Sequence, residues 1–300
     1  MSFPNPIATP VGRGLVLGLA GFSVFSLMDT QIKILTSTHG IQVAPIVALC
    51  AGVLIVLCMV YAIVTGKTAD LRMNRRSDHL WLGITRAISF LLIQFAFSRL
   101  SLITVYTFVF TAPIITAILS ILWLDETPTR QTWLAVGCGF VGVLVAFRPD
   151  LSGIDTAAFC ALLGALFFSV GSIFMRRMRT QETALSTMFW STIVTFAITG
   201  IVAMPNIAAP PLHLWPFFLG AALFWAAGQL AMVFAFRLAP ASKIGAVHYV
   251  QVLYGLLFDL LIFKNMPDGF AIVGAGLIAS AGIILLSPSP VVAQAQVAAE

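Results

Sequence analysis

Charge is what this chain has least of. Of its 300 residues 9% are charged and 60% hydrophobic, and the mean hydropathy is +1.02. A soluble domain carries roughly a quarter charged residues, so the deficit excludes a chain that covers itself with a water-facing surface. No polar stretch is long enough to form a separate domain. The cysteines are few, and Cys50, Cys58, Cys138 and Cys160 all lie inside apolar runs without the spacing of a metal knuckle or a redox pair. They read as packing residues. The phosphate-cradling Gly-x-x-x-x-Gly-Lys-Ser/Thr loop is missing, which excludes direct use of ATP. His-Glu-x-x-His, a Gly-x-Ser-x-Gly elbow and paired deep aspartates are missing from the apolar runs, which disfavours an intramembrane enzyme. No metal and no cofactor are expected.

The apolar runs themselves span 13–36, 43–65, 79–100, 102–124, 130–147, 156–177, 184–204, 213–236, 240–263 and 268–287. A helix of about 20 apolar residues crosses a bilayer, and inside lipid a helix is the way a single segment satisfies its own backbone. Ten transmembrane helices are therefore expected. The second half repeats the first. Phe22-Ser23-Val24-Phe25-Ser26 returns as Phe168-Ser169-Val170-Gly171-Ser172, and Ala96-Phe97-Ser98-Arg99-Leu100 as Ala235-Phe236-Arg237-Leu238. Gly137, Gly139 and Gly142 correspond to Gly274, Gly276 and Ala279. Five spans per copy is an odd number, so the second copy enters the membrane upside down. The organisation expected is 1–150 as the first five-helix repeat, 151–288 as the second, and 289–300 as a loose tail. The first run is long and aligns with the sixth, so it reads as a span and not as a cleaved leader. An inverted repeat of this kind is the architecture of a secondary transporter, with its site near the midplane between the halves.

Basic residues orient the chain. With the N-terminus in the cytoplasm, eleven Lys and Arg residues fall on the inner side, from Arg13 through the cluster Arg72, Arg75 and Arg76 to Lys243. Four fall outside (Lys33, Arg99, Arg148 and Lys264), and Arg86 lies within a span. Both termini are accordingly expected in the cytoplasm. The net charge of +5 is then a topology signal. A nucleic-acid footprint would need a basic soluble face, and the chain has none.

Pro113 in the fourth span is followed by apolar residues to Leu124, the turn Asp125-Glu126-Thr127-Pro128-Thr129, and a fifth span bearing Gly137 and Gly142. With the Ala-x-x-Arg-Leu element at 96–100, this resembles the EamA-type members of the drug/metabolite transporter superfamily, over nearly the whole chain. The resemblance implies a ten-helix carrier of small metabolites in the bacterial inner membrane, similar to bacterial amino-acid exporters. The second copy departs from the pattern. Lys264-Asn265-Met266-Pro267 replaces the acidic turn, and Gln251 or Val252 stands where Pro113 would fall. The turn is therefore assigned no part in function.

Polar residues at mid-depth mark the expected path. Arg86, Phe90 and Gln94 are four apart on the third span, hence on one face. Thr104, Thr107 and Thr111 share a face of the fourth and end beside Pro113, which bends the helix. Trp225 and Gln229 follow on the eighth span, and His248, Gln251 and Tyr254 on the ninth. Arg86 serves either as a partner for backbone carbonyls or as a contact for an anionic substrate group. The glutamines face either the cavity or another helix. Ser23, Ser26, Ser169, Ser172 and the threonines are expected to bond their own helix carbonyls. Asp29 and Lys33, four apart, are expected to pair near the outer end of the first span, and Asp259 lies far out on the ninth. His248 is the best proton-coupling candidate, against a satisfied core histidine. The glycines of the fifth and tenth spans are expected to pack those helices together away from the path.

The expected function is export of small metabolites by alternating access, most simply amino acids of aromatic or amphipathic character, with lipid and the substrate as partners. A multidrug or sugar-nucleotide carrier is the alternative within the class. A sugar-nucleotide carrier needs several cavity cations, and Arg86 alone is found. An intramembrane enzyme is the rival from another class.

Overall fold

In the computed structural model, residues 9–97, 99, 102–148, 156–206, 210–261, 266 and 268–286 are described. Among them there are helices and no strands. The first half contains α1 (Pro10–Lys33), α2 (Val43–Val64), α3 (Arg76–Phe97), α4 (Leu102–Val109), α5 (Ala112–Leu124) and α6 (Arg130–Phe147). The second contains α7 (Thr156–Arg177), α8 (Ala184–Ala203), α9 (Trp215–Leu238), α10 (Ala241–Val247), α11 (Val250–Leu261) and α12 (Gly269–Leu286). Eight segments are long and apolar enough to cross a membrane, counting α4 and α5 together as Val105–Leu124, and a shorter apolar helix covers Gly269–Leu285. The expected ninth span is the pair α10 and α11. The helix starts are cut by sequence. The Thr9 side chain accepts from the N–H of Gly12 with Pro10 in the first turn, and Thr129 and Thr183 cap α6 and α8 in the same way. At the end of α5, Asp125 takes a left-handed conformation (φ 53°) that turns the chain out of the helix.

Both halves interrupt a helix at the same place. α4 stops at Val109 and α5 starts at Ala112; α10 stops at Val247 and α11 starts at Val250. In the first break Thr111 N–H bonds to Phe108 O at 3.1 Å, a tightened turn just ahead of Pro113. In the second, His248 N–H bonds to Gly245 O at 3.0 Å and Gln251 N–H to His248 O at 3.1 Å, with no proline present. Here packing replaces proline. A Cβ on Gly139 of α6 would lie 2.3 Å from the Tyr249 ring, so Tyr249 fills a slot that only glycine leaves open.

Helix packing follows the repeat. α1 packs on α9, and α3 on α7, which are equivalent pairs under exchange of the halves. α2 packs on α8 and α6 on α12, each helix against its own counterpart, while α5 packs on α10, so the fourth span meets the ninth. The expectation for the glycines holds in part. Gly142 and Gly274 bring α6 and α12 into contact, since a Cβ on either would lie within 3 Å of the other's carbonyl oxygen. Gly137 and Gly276 face open space, and Gly139 touches the broken helix, so α6 does not stand wholly apart from it.

Candidate functional site

At the level of the two breaks the repeat-related aromatic residues converge. The His248 ring lies between Phe22 of α1 (centroids 4.5 Å apart, planes 17°) and Phe168 of α7 (5.0 Å, 26°), with Phe110 edge-on at 5.4 Å. Phe22 and Phe168 are the same position in the two repeats, and Phe110 and His248 are the same position in the two breaks. Four rings, two from each half, thus form one stack. Three of its rings are buried, Phe22 at 1%, Phe110 at 2% and His248 at 5% exposed, and Phe168 is half-buried. The Nδ1 atom of His248 has no hydrogen-bond partner. One turn on, Gln251 Nε2 donates to Asp29 Oδ2 of α1 at 3.4 Å. Asp29 thus takes part in a link between the halves, because α11 lies against α1.

A second group gathers between α1, α2, α3 and α9. Trp225 belongs to a buried cluster with Met28, Ile46 and Phe218, against which Phe25 and Phe90 pack. Gln229 is buried one turn along α9. Arg86 lies one turn before Phe90 on α3, half-buried, and its Nη1 donates to Ser191 Oγ of α8 at 3.2 Å. Among the described residues no carboxylate pairs with it. Gln94 is half-buried on the same face. Thr107 is buried, Tyr254 half-buried. Thr111 bonds back to Phe108 O at 2.6 Å, so its hydroxyl is used within its own helix, as expected of Ser and Thr. Ser23, Ser26 and Ser172 do the same, whereas Ser169 also reaches Ala112 O of the other half at 3.0 Å. The side chains of Thr104 and Asp259 lie outside the described residues. The sequence candidates therefore fall into a histidine–glutamine group on α1 and the second break, and an arginine–aromatic group on α3 and α9.

The basic end of the bundle, where most Lys and Arg residues lie, is tied shut by groups that sequence reasoning passed over. Glu126, in the turn after α5, accepts from Arg176 Nε at 2.6 Å and from the N–H of Ala241 at the start of α10 at 2.8 Å. Arg176 Nη1 also donates to Phe236 O at 2.6 Å. Glu182, between α7 and α8, accepts from the N–H groups of Asn74 and Arg75 ahead of α3, at 2.7 and 2.5 Å, and lies 3.3 Å from His79 Nε2. Its side chain is fully buried. Thr183 Oγ1 and Trp190 Nε1 bond Asp70 O and Leu71 O, and Arg237 donates to the Glu182 carbonyl. Each half thus sends one carboxylate to a helix N-terminus of the other, where free N–H groups and the helix dipole favour an anion. The signal in sequence was the acidic turn itself, set aside because the second copy lacks it. At the opposite end Arg148 pairs with Asp268, again across the halves.

A model of the EamA-like transporter family matches residues 12–148 and 155–287, once for each half. A protein of Rickettsia prowazekii (strain Madrid E) named S-adenosylmethionine uptake transporter is 24% identical over 280 residues, 91% of this chain and 92% of its own length. A riboflavin transporter of Rhizobium johnstonii is 26% identical over 179 residues, 59% of each chain. A solved crystal structure superposes with a TM-score of 0.77 at 13% identity, covering 91% of this chain and 96% of the other, a likeness of fold.

Proposed function

We propose that this chain, which belongs to the EamA-like transporter family, carries a small metabolite bearing a flat ring and a carboxylate across the bacterial inner membrane by alternating access. Membership makes the chain a small-molecule transporter of the membrane. The substrate class, the mechanism and the orientation are our reading. Relatives named for S-adenosylmethionine uptake and riboflavin transport turn that reading away from amino acids alone and toward larger ring-bearing metabolites. Aromatic amino acids and S-adenosylmethionine share a ring and a carboxylate; riboflavin has the ring without the carboxylate.

The observation that carries the proposal is Arg86. A cation inside a span costs about 2.5–3.5 kcal/mol even on insertion scales, and a protein cation so placed normally meets an acid. Arg86 has a serine hydroxyl and no carboxylate among the described residues. Phe90, on the same face, leads into the Trp225 cluster. A carboxylate on the guanidinium fork and a ring against Phe90 and Trp225 complete this arrangement. Excess basic residues at one end put that end, with both termini, in the cytoplasm. In this geometry the cytoplasmic end is held by Glu126 and Glu182, and rocking of the halves about the ring stack exposes the site to each side in turn.

The test is counterflow in proteoliposomes with labelled phenylalanine, S-adenosylmethionine and riboflavin. Exchange of a carboxylate-bearing compound is expected, and Arg86→Gln should raise its KM at least tenfold, equivalent to about 1.4 kcal/mol. Exchange of riboflavin alone, unaffected by Arg86→Gln, overturns the carboxylate assignment.

A further inference from the structure

We propose that the carrier is driven by protons and that His248, in the four-ring stack, is the group that binds them. The proposal rests on the reading of the chain as a carrier but not on any one substrate. Symmetry supplies the first argument. The equivalent position in the first break is Phe110, which fills its place with an apolar ring. The second half puts an imidazole there, between the faces of Phe22 and Phe168, and leaves Nδ1 buried with no partner. A phenyl ring would complete the same packing without an orphaned nitrogen, so the imidazole is kept at a cost to the neutral, closed state. The arrangement also offers that nitrogen something in return. A proton on the ring creates a cation lying against two aromatic faces, and cation–π attraction is strongest away from water.

The second argument is position. Phe22 and Phe110 belong to the first half, Phe168 and His248 to the second. Rocking must part these rings, so a change of charge on His248 biases the two arrangements differently, which is what coupling requires. The proton comes from water on one side onto an imidazole nitrogen and returns to water on the other; nothing else is consumed. Few other groups compete. From α1 the titratable neighbour is Asp29, joined through Gln251. Tyr106 comes from α4, Tyr249, Tyr254 and, nearly three turns on, Asp259 from the broken helix itself, Cys138 from α6 and Cys160 from α7. α5 and α12 carry no titratable side chain. The cations of α6, α7, α9 and α10 (Arg130, Arg176, Arg177, Arg237 and Lys243) sit toward the basic end, as does Arg13 of α1, with Lys33 at its other end.

Ser26 and Ser172 are repeat equivalents that lie one turn from Phe22 and Phe168 on opposite sides of the stack. Each is replaced singly by cysteine in a background with the four native cysteines changed to alanine, and labelled in proteoliposomes with an impermeant maleimide between about pH 5 and pH 8. The ratio of labelling at the two reporters should change at least threefold across this range in the parent. It should be flat in His248→Phe, which restores the ring of the first break, and in His248→Asn. A parent ratio that ignores pH overturns the proposal. So does a pH response that survives in both His248 variants, or one that survives there and vanishes in Asp29→Asn or His79→Gln. Because labelling needs no substrate, failure of the counterflow assay and failure of the proton site are read separately.

Discussion

A leucine at Gly139 and a leucine at Gly276 are the same change at two positions that the sequence aligns, yet they should behave differently. A Cβ at Gly139 meets the Tyr249 ring at 2.3 Å, whereas one at Gly276 meets nothing within 4 Å. Gly139→Leu should cost about 1–3 kcal/mol through overpacking, and Gly276→Leu should stay near neutral. Thermal unfolding of the detergent-solubilised variants measures both, and equal losses would refute the packing described here. At this scale the sequence was a partial guide. It picked out His248, Gln251, Arg86 and Trp225 because polar or aromatic side chains deep in a span need a reason. It did not see that Phe22 and Phe168, present in the matched pentapeptides, face one another across His248, since a phenylalanine in an apolar span raises no alarm.

The elements meet in two kinds of joint. One is the pair of breaks, of which only the first carries a proline. The other is the closure at the basic end, where Glu126 and Glu182 each hold a helix start of the opposite half. Removing one partner of a buried charge pair costs about 3–5 kcal/mol. Glu182→Ala should therefore lower stability by an amount of that order, for it strips two N–H groups and His79 of their acceptor. Glu126→Gln is gentler. It keeps an oxygen for the Ala241 N–H and weakens the hold on Arg176, so the halves should part more readily at that end. Impermeant-maleimide labelling of Ser172→Cys from the basic side should rise at least threefold in Glu126→Gln, and unchanged labelling would show that the network does not hold the end shut. The acidic turn was visible in the sequence as a signature, but not as a joint, because its partners lie 50 and 115 residues away.

For the whole molecule, the proposed orientation, ten crossings with both ends in the cytoplasm, makes a direct demand. A cysteine at Leu212, which is 89% exposed between α8 and α9, should react with an impermeant reagent in intact cells, while one at Lys67, between α2 and α3, should react only after permeabilisation. The opposite pattern would invert the molecule and, with it, the side on which Glu126 and Glu182 close. The same inversion would leave the fold untouched, because the packing of α1 on α9 and of α3 on α7 is symmetric under exchange of the halves.

Spans, their number, the duplication and its odd count were all legible in the amino-acid order. The reason is that hydropathy is summed over a local window and a backbone in lipid has few ways to satisfy itself. The bend at Pro113 was legible for a similar reason, since a proline acts within one turn of its own residue. Helix rotation is not local. Which face of α10 and α11 turns inward depends on Gly245 against Thr116 and Pro113 of α5, on the ring of Tyr249 against Gly139 of α6, and on α1 lying alongside. Only that packing decided that the second helix breaks without a proline, that His248 sits between Phe22 and Phe168, and that Asp29 is joined to Gln251 across the halves. Without a hydrophobic drive between helices in lipid, such fits rest on the shape of the contacting surfaces, and shape exists only once both halves have come together.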